Sequence, residues 1–136
     1  MEDQIHLQII TTSGVVYDGR VSYVNLPLEG GSVGILAHHA PLLGAVTEGV
    51  VRYTRGDEEH YIAVSHGVVH VADNEVTVLS DAAEQAEDID LARAVAAERR
   101  ARERLKIHGT DVDTVRAEAA LHRALARQAA VRLMKK

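Results

Sequence analysis

The chain changes character near Asp81, and no single secondary-structure class accommodates both sides of that break. Before it, Val, Ile, Thr, Tyr and Gly alternate in the manner of strands; after it, Ala, Arg, Glu and Leu recur at helical spacing. The charge reverses as well. Residues 1–81 hold 3 Lys/Arg against 11 Asp/Glu, a net of −8, and residues 82–136 hold 12 against 9, a net of +3, which together give the chain's −5. Two halves of opposite charge imply two modules with different partners. A length of 136 residues has room for one compact domain and an appendage, hardly for two full domains.

The first half predicts many short strands. Residues 6–11 open one, Thr12-Ser13-Gly14 turn it, Val15-Val16 resume it, and Asp18-Gly19 reads as a further hairpin turn. Strands follow at 21–26, 32–36, 45–47, 50–54, 60–64, 68–71 and 76–79, separated by breakers such as Glu29-Gly30-Gly31 and Arg55-Gly56-Asp57. No helical segment separates them, so an antiparallel sandwich or small barrel is expected rather than a parallel α/β fold. Phe and Trp are absent, which leaves Val, Ile, Leu and Ala to build the core.

The second half predicts two helices. Leu91, Ala94, Val95, Ala97, Ala101 and Leu105 follow a 3.6-residue period, with Asp88 as N-cap and Asp90 in the first turn. Gly109 suits the left-handed position that ends a helix, and Thr110 with Asp113 resembles the capping box of a second one running to about Met134. So short a turn folds the helices back on each other. The fold class is therefore α+β: an antiparallel β-sandwich over 1–84, then an antiparallel two-helix hairpin over 85–136. The contact face of the hairpin is largely alanine, whose burial contributes little, so it should be weakly held and is a natural moving part.

With the turn between Gly109 and Thr110, Arg127 falls level with Ala92, and Arg123 with Ala96. Arg93, Arg123 and Arg127 then converge beside Asp90 and Glu84. Arginine forks match phosphate oxygens, so such a group can hold a polyphosphate; the plainer alternative is an Asp90–Arg93 pair and solvated arginines. Arg99, Arg100, Arg102 and Arg104 encircle the first helix and fit either an acidic partner or plain solvation. Eight histidines, among them His38-His39, His66 and His70, show no metal-ligand spacing. Gly30-Gly31-Ser32-Val33-Gly34 lacks the following helix and Lys-Ser/Thr of a phosphate loop. The absence of cysteine excludes disulfides and thiolate sites. Negative charge without aromatic interleaving disfavours nucleic acid. There is neither a signal peptide nor a membrane-spanning run, and no nucleophile with a base, so an enzyme is not expected.

Residues 31–43, GSVGILAHHAPLL, resemble the glycine-rich loop and "GHAPL" stretch of the epsilon subunit of F-type ATP synthases. Residues 65–71 and 76–79 are similar to that family's last strands, and residues 84–94, EQAEDIDLARA, to its junction with the helical hairpin. The resemblance implies a non-catalytic central-stalk subunit that couples rotor rotation to catalysis. Its sandwich would bind the gamma subunit and the rotor c-ring, and its mobile hairpin would inhibit ATP hydrolysis on meeting the catalytic beta subunits. It also implies peripheral attachment, through the complex, at the cytoplasmic face of a bacterial cell membrane. For partner contacts it points to Ser32, His39, Pro41 and Leu42, and to Arg99, Arg100 and Arg116. In bacillus-type members the compact hairpin is similar to an ATP receptor with the pattern Ile/Leu-Asp-x-x-Arg-Ala. Here that implies Ile89, Asp90, Arg93 and Ala94, together with Glu84, Arg123 and Arg127, as a site for regulatory ATP, with magnesium an open question and no resident metal. Ser32 stands where the family often has an acid, Ala37-His38 where it has Pro-Gly, and His66 where it often has Gly. A free-standing ATP-sensing module without a rotary partner is the alternative.

Overall fold

The computed structural model describes residues 4–107 and 111–136, with side chains of the second helix described from Thr114 onward. Ten strands come first: β1 (Ile5–Thr11), β2 (Gly14–Val21), β3 (Tyr23–Leu28), β4 (Gly31–Leu36), β5 (Leu42–Val46), β6 (Gly49–Arg55), β7 (Glu58–Val64), β8 (Gly67–Ala72), β9 (Glu75–Ser80) and β10 (Ala83–Gln85). A 3₁₀ turn, Ala86–Asp88, leads to α1 (Leu91–Lys106) and α2 (Asp111–Met134). The α+β class read from the sequence is the one observed.

The strands form one sheet in the order β10-β7-β6-β3-β5-β8-β9-β1-β2, with β4 added to β3. The sheet wraps until its ends meet, where Gln85 Nε2 donates to the Val16 carbonyl at 3.0 Å. Alternation decides which face turns inward: Ile5, Leu7 and Ile9 of β1, Val69 and Val71 of β8, and Val76 and Val78 of β9 are all buried. Among the described strand pairs only β1 and β9 run parallel.

Two local readings of the sequence are corrected. Asp18-Gly19 is not a turn but lies within β2, where Asp18 pairs with Gln8. Asp18 accepts from His6 Nε2 at 2.6 Å and Gln8 Nε2 at 3.0 Å. The His6 bond, then the Gln8 bond, hold its carboxyl below the usual range. Gly19 gives the Tyr17 ring room to lie over β2: a Cβ there would sit 2.6 Å from the Tyr17 hydroxyl, and the ring would have to shift. Second, the N-cap of α1 is Asp90, whose Oδ1 accepts from the Arg93 N–H at 3.1 Å, while Asp88 closes the 3₁₀ turn. In addition, β10 is a strand that no alternation announced. Gly109, Thr110 and the Asp113 side chain lie outside the described residues.

What places β10 is a serine. Buried Ser80 Oγ accepts from the Ser65 N–H at 3.1 Å and lies 2.7 Å from the Ala82 carbonyl, to which it donates. Ser65 N–H also reaches the Ala82 carbonyl, and Asp81 N–H the His66 carbonyl. The compositional break at Asp81 is thus tied down, and the chain leaves the sheet only after Gln85. Close approach does the same for the adjoining turn: a Cβ on Gly67 would lie 1.8 Å from the Leu79 carbonyl oxygen and 2.8 Å from Ser80 Cα. Gly67→Ala must push backbone apart and is expected to cost about 3 kcal/mol. An unchanged thermal midpoint would refute this close approach.

The hairpin packs on the sandwich through one helix. α2 lies on β6 and β7, and α1 on α2. Ala63, Ala86 and Ala130 are buried in the seam, flanked by Val50, Tyr61 and Ile89. Between the helices, Ala94 and Ala101 of α1 and Ala117 and Ala124 of α2 are buried. Gln128 Nε2 donates to Glu98 Oε1 at 2.8 Å, a bond that ties α2 to α1.

Glu98 is held by the Gln128 hydrogen bond first and the Arg102 bond second, which keep its carboxyl below the usual range. A carboxylate depressed by folding contributes stability above its unfolded pKa of about 4.3, and that contribution is lost as pH falls through the lower folded value. Acidification below about pH 4 is therefore expected to loosen α1 from α2. Glu98→Gln should remove that step from the helical circular dichroism signal; an identical acid transition in the variant would count against it.

Candidate functional site

A cleft of about 500 Å³ lies where α2 crosses the sandwich edge, lined by Ala63, Val64 and Ser65 of β7 and its end, Ala82, Ala83 and Glu84 around β10, and Arg123 and Arg127 of α2. The serine hub described above sets the β10 wall, and helical spacing sets the other, since positions i and i+4 share a face. Arg127 Nε donates to Glu84 Oε1 at 3.1 Å, with both side chains about one-third exposed. Arg123 is exposed and has no ion pair among the described residues. The cleft thus offers one spoken-for guanidinium, one free one, and small residues between them that leave room for a ligand.

Of the seven residues read as an ATP site, the structure brings Glu84, Arg123 and Arg127 together. Ile89, Asp90, Arg93 and Ala94 are not part of this lining. Ile89 packs in the alanine seam. Asp90 caps α1. Ala94 is buried on the α1 face, and the Arg93 side chain is exposed.

The residues read as partner contacts fall in two places. Ser32 is exposed on β4 opposite Pro27, Pro41 is exposed before β5, and Leu42 packs partly against the core. His39 Nδ1 approaches the Ala40 carbonyl at 2.6 Å. Arg99 and Arg100 on α1 and Arg116 on α2 are exposed. Arg102, by contrast, is engaged by Glu98 at 2.7 Å.

One surface went unread in the sequence. The ladder sets Ala45 beside Val68, Val68 beside Leu79, Leu79 beside Ile10, and Ile10 beside Val15. All five point outward, in one row across five strands, roughly 19 Å long at 4.8 Å per strand. Val15, Val68 and Leu79 are 60%, 46% and 47% exposed, and Leu43 nearby is 75% exposed. The available signal was apolar residues on both faces of β8 and β9, which a one-sided sheet does not need.

Comparison with known proteins agrees over nearly the whole chain. Residues 4–86 match the family described as ATP synthase, Delta/Epsilon chain, beta-sandwich domain, and residues 87–132 match ATP synthase, Delta/Epsilon chain, long alpha-helix domain. The ATP synthase epsilon chain of Nitratidesulfovibrio vulgaris is 45% identical over 127 residues, covering 93% of this chain and 95% of the relative. That of Bacillus licheniformis is 42% identical over 123 residues, covering 90% and 94%. A chain in the cryo-EM structure of Euglena gracilis mitochondrial ATP synthase shares the fold with a TM-score of 0.83 at 22% identity, covering 96% of this chain and 83% of that one. The chain belongs to the delta/epsilon family of ATP synthases, as a bacterial F-type epsilon chain and hence a non-catalytic subunit of the central stalk.

Proposed function

We propose that the chain couples rotor movement to catalysis and restrains ATP hydrolysis through a hairpin whose docking on the sandwich is favoured by ATP. The observation that carries the nucleotide part is the cleft itself, in which Glu84 and Ser65 come from the sandwich and Arg123 and Arg127 from α2. A polyphosphate held by both walls binds only the docked arrangement and so stabilises it by mass action. The alanine seam makes such a contribution decisive, because a buried methyl contributes only about 0.8 kcal/mol. Asp90, Ile89 and Ala94 serve the same state by fixing the start of α1, and Arg93 supplies a further exposed cation there.

The outward apolar row suits a lasting protein contact, which we assign to the gamma subunit, and the β4–β5 region with Ser32, His39, Pro41 and Leu42 to the rotor c-ring. Arg99, Arg100 and Arg116 would meet acidic segments of the catalytic beta subunits when the hairpin extends. No described helix is long and apolar enough to cross a membrane, and attachment at the cytoplasmic face would run through the complex. Calorimetric titration of the isolated chain with ATP, with and without magnesium, tests the nucleotide reading. Saturable heat is expected; its absence under both conditions rejects the regulatory ligand and leaves the family assignment untouched.

A further inference from the structure

The sheet ends in two strands that no ladder joins among the described residues. β10 and β2 stand at opposite ends of the strand order, and a side chain bridges them, Gln85 Nε2 on the Val16 carbonyl. A groove of about 250 Å³ is left at this seam, with Val15 and Val16 on one bank, Ala82 and Ala83 on the other, and Asp81 beside them. Ala82 and Ala83 also line the arginine cleft, so the chain entering β10 is a wall between two hollows. Both banks are pinned by their own backbone. The Ala82 carbonyl accepts from Ser65 N–H at 3.0 Å, and Asp81 N–H donates to the His66 carbonyl at 2.9 Å. Ahead of β2, Thr11 Oγ1 accepts from Ser13 N–H at 3.1 Å.

The two hollows suit opposite charges. The cleft carries Arg123 and Arg127, whereas Asp81 is the one charged residue lining the groove. Asp81 is exposed and has no ion pair among the described residues. The Thr11 hydroxyl, which an anion would need as a donor, already donates to the Gly14 carbonyl at 3.3 Å. An occupant therefore needs an apolar stem to lie along the valines and alanines, and a positive head for Asp81. Lysine and arginine side chains have that form, since their methylenes bury along apolar surface while the charged end keeps a polar partner. The groove is smaller than the roughly 300–1,000 Å³ of small-molecule sites, which suits a single side chain. Val15 decides where that side chain comes from. It lines the groove, it is 60% exposed, and through its pairing with Ile10 it ends the outward apolar row. A body seated on the row overhangs the groove, and an apolar patch accompanied by arginine is the usual anatomy of a protein interface. Residues 1–81 are strongly acidic overall, which favours a basic partner surface.

We infer that the groove is a socket for one lysine or arginine side chain of the partner that covers the row, with Asp81 as its counter-charge. This deepens the assignment of the row to the gamma subunit and rests on it. The row supplies apolar area and the socket supplies orientation. A strip of Val, Ile, Leu and Ala tolerates sliding, whereas a charge pair at one end fixes how the partner sits. The socket also lies where the chain leaves the sheet for the hairpin, so the partner is anchored beside that departure point.

Asp81 is exposed, so Asp81→Asn and Asp81→Glu should keep the parent's thermal midpoint. Binding of the full chain to immobilised gamma subunit is then measured by surface plasmon resonance at low and at high salt. Asp81→Asn is expected to bind about thirtyfold more weakly, the scale of a lost charge-assisted hydrogen bond. Its affinity should also fall less with salt than the parent's, because the screened charge pair is gone. Asp81→Glu keeps the charge and should recover most of the affinity. The socket is overturned if Asp81→Asn binds gamma as the parent does, if its salt dependence equals the parent's, or if Asp81→Glu is as weak as Asp81→Asn. Loss of binding in Val68→Asp with Leu79→Asp but not in Asp81→Asn overturns the socket alone. A parent chain that does not bind gamma overturns the assignment of the row and the socket with it.

Discussion

Replacing Arg123 and Arg127 together by alanine is expected to weaken ATP binding to the isolated chain by at least about 100-fold, since two charge-assisted hydrogen bonds of about 1.5–3 kcal/mol each are lost. The two positions should not contribute equally. Arg123 is exposed and unpaired among the described residues, so its loss removes an attraction and nothing else. Arg127 also neutralises Glu84 at 3.1 Å, so Arg127→Ala leaves a carboxylate facing the incoming phosphates. The second single variant should therefore be the weaker binder. Both side chains lie on α2, away from the sandwich core, and the strand signal in circular dichroism should be unchanged. Calorimetry reads the affinities, and a double variant that binds like the parent would remove the cleft from consideration.

The second large effect concerns the outward apolar row. Val68→Asp with Leu79→Asp should abolish capture of the chain by the gamma subunit, a loss of roughly a thousandfold. Each side chain forfeits about 1.5–3 kcal/mol of interface burial, and each new carboxylate must be dehydrated besides. Val68 and Leu79 are cross-strand neighbours about half exposed in the free chain, so folding alone asks little of them. The thermal midpoint should move by only a few degrees. Co-purification with gamma measures the outcome; retained capture would show that the row faces something else.

The architecture was legible in the sequence because alternation and helical periodicity report burial directly. Ile5, Leu7 and Ile9 are buried as their spacing requires, and Ala94 and Ala101 mark the buried face of α1. What escaped were features set by a single distant contact. Asp-Gly is a strong turn signal, yet Gly19 answers to the Tyr17 ring above it. β10 exists because Ser80 organises the backbone of Ser65 and Ala82 around one hydroxyl, a pattern without any periodicity.

The site was legible in part for the same reason. Arg123 and Arg127 share a helix face by spacing alone, and Glu84 met them as expected. Asp90 and Arg93 are not among the lining residues, because Asp90 is taken up in capping α1 and the Arg93 side chain is exposed, details that helical spacing alone does not settle.

The parallel pairing of β1 with β9 has a consequence for how the molecule comes into being. Ile9 finds Val78, 69 residues later, and until that happens one flank of β1 is an open edge. Contacts so distant in sequence close slowly, and during synthesis they cannot close until β9 has emerged. The helices follow the strands in the chain, so α2 arrives at a body whose strands are already available to receive it. The order of translation thereby favours a newborn chain that starts with its hairpin folded down on the sandwich.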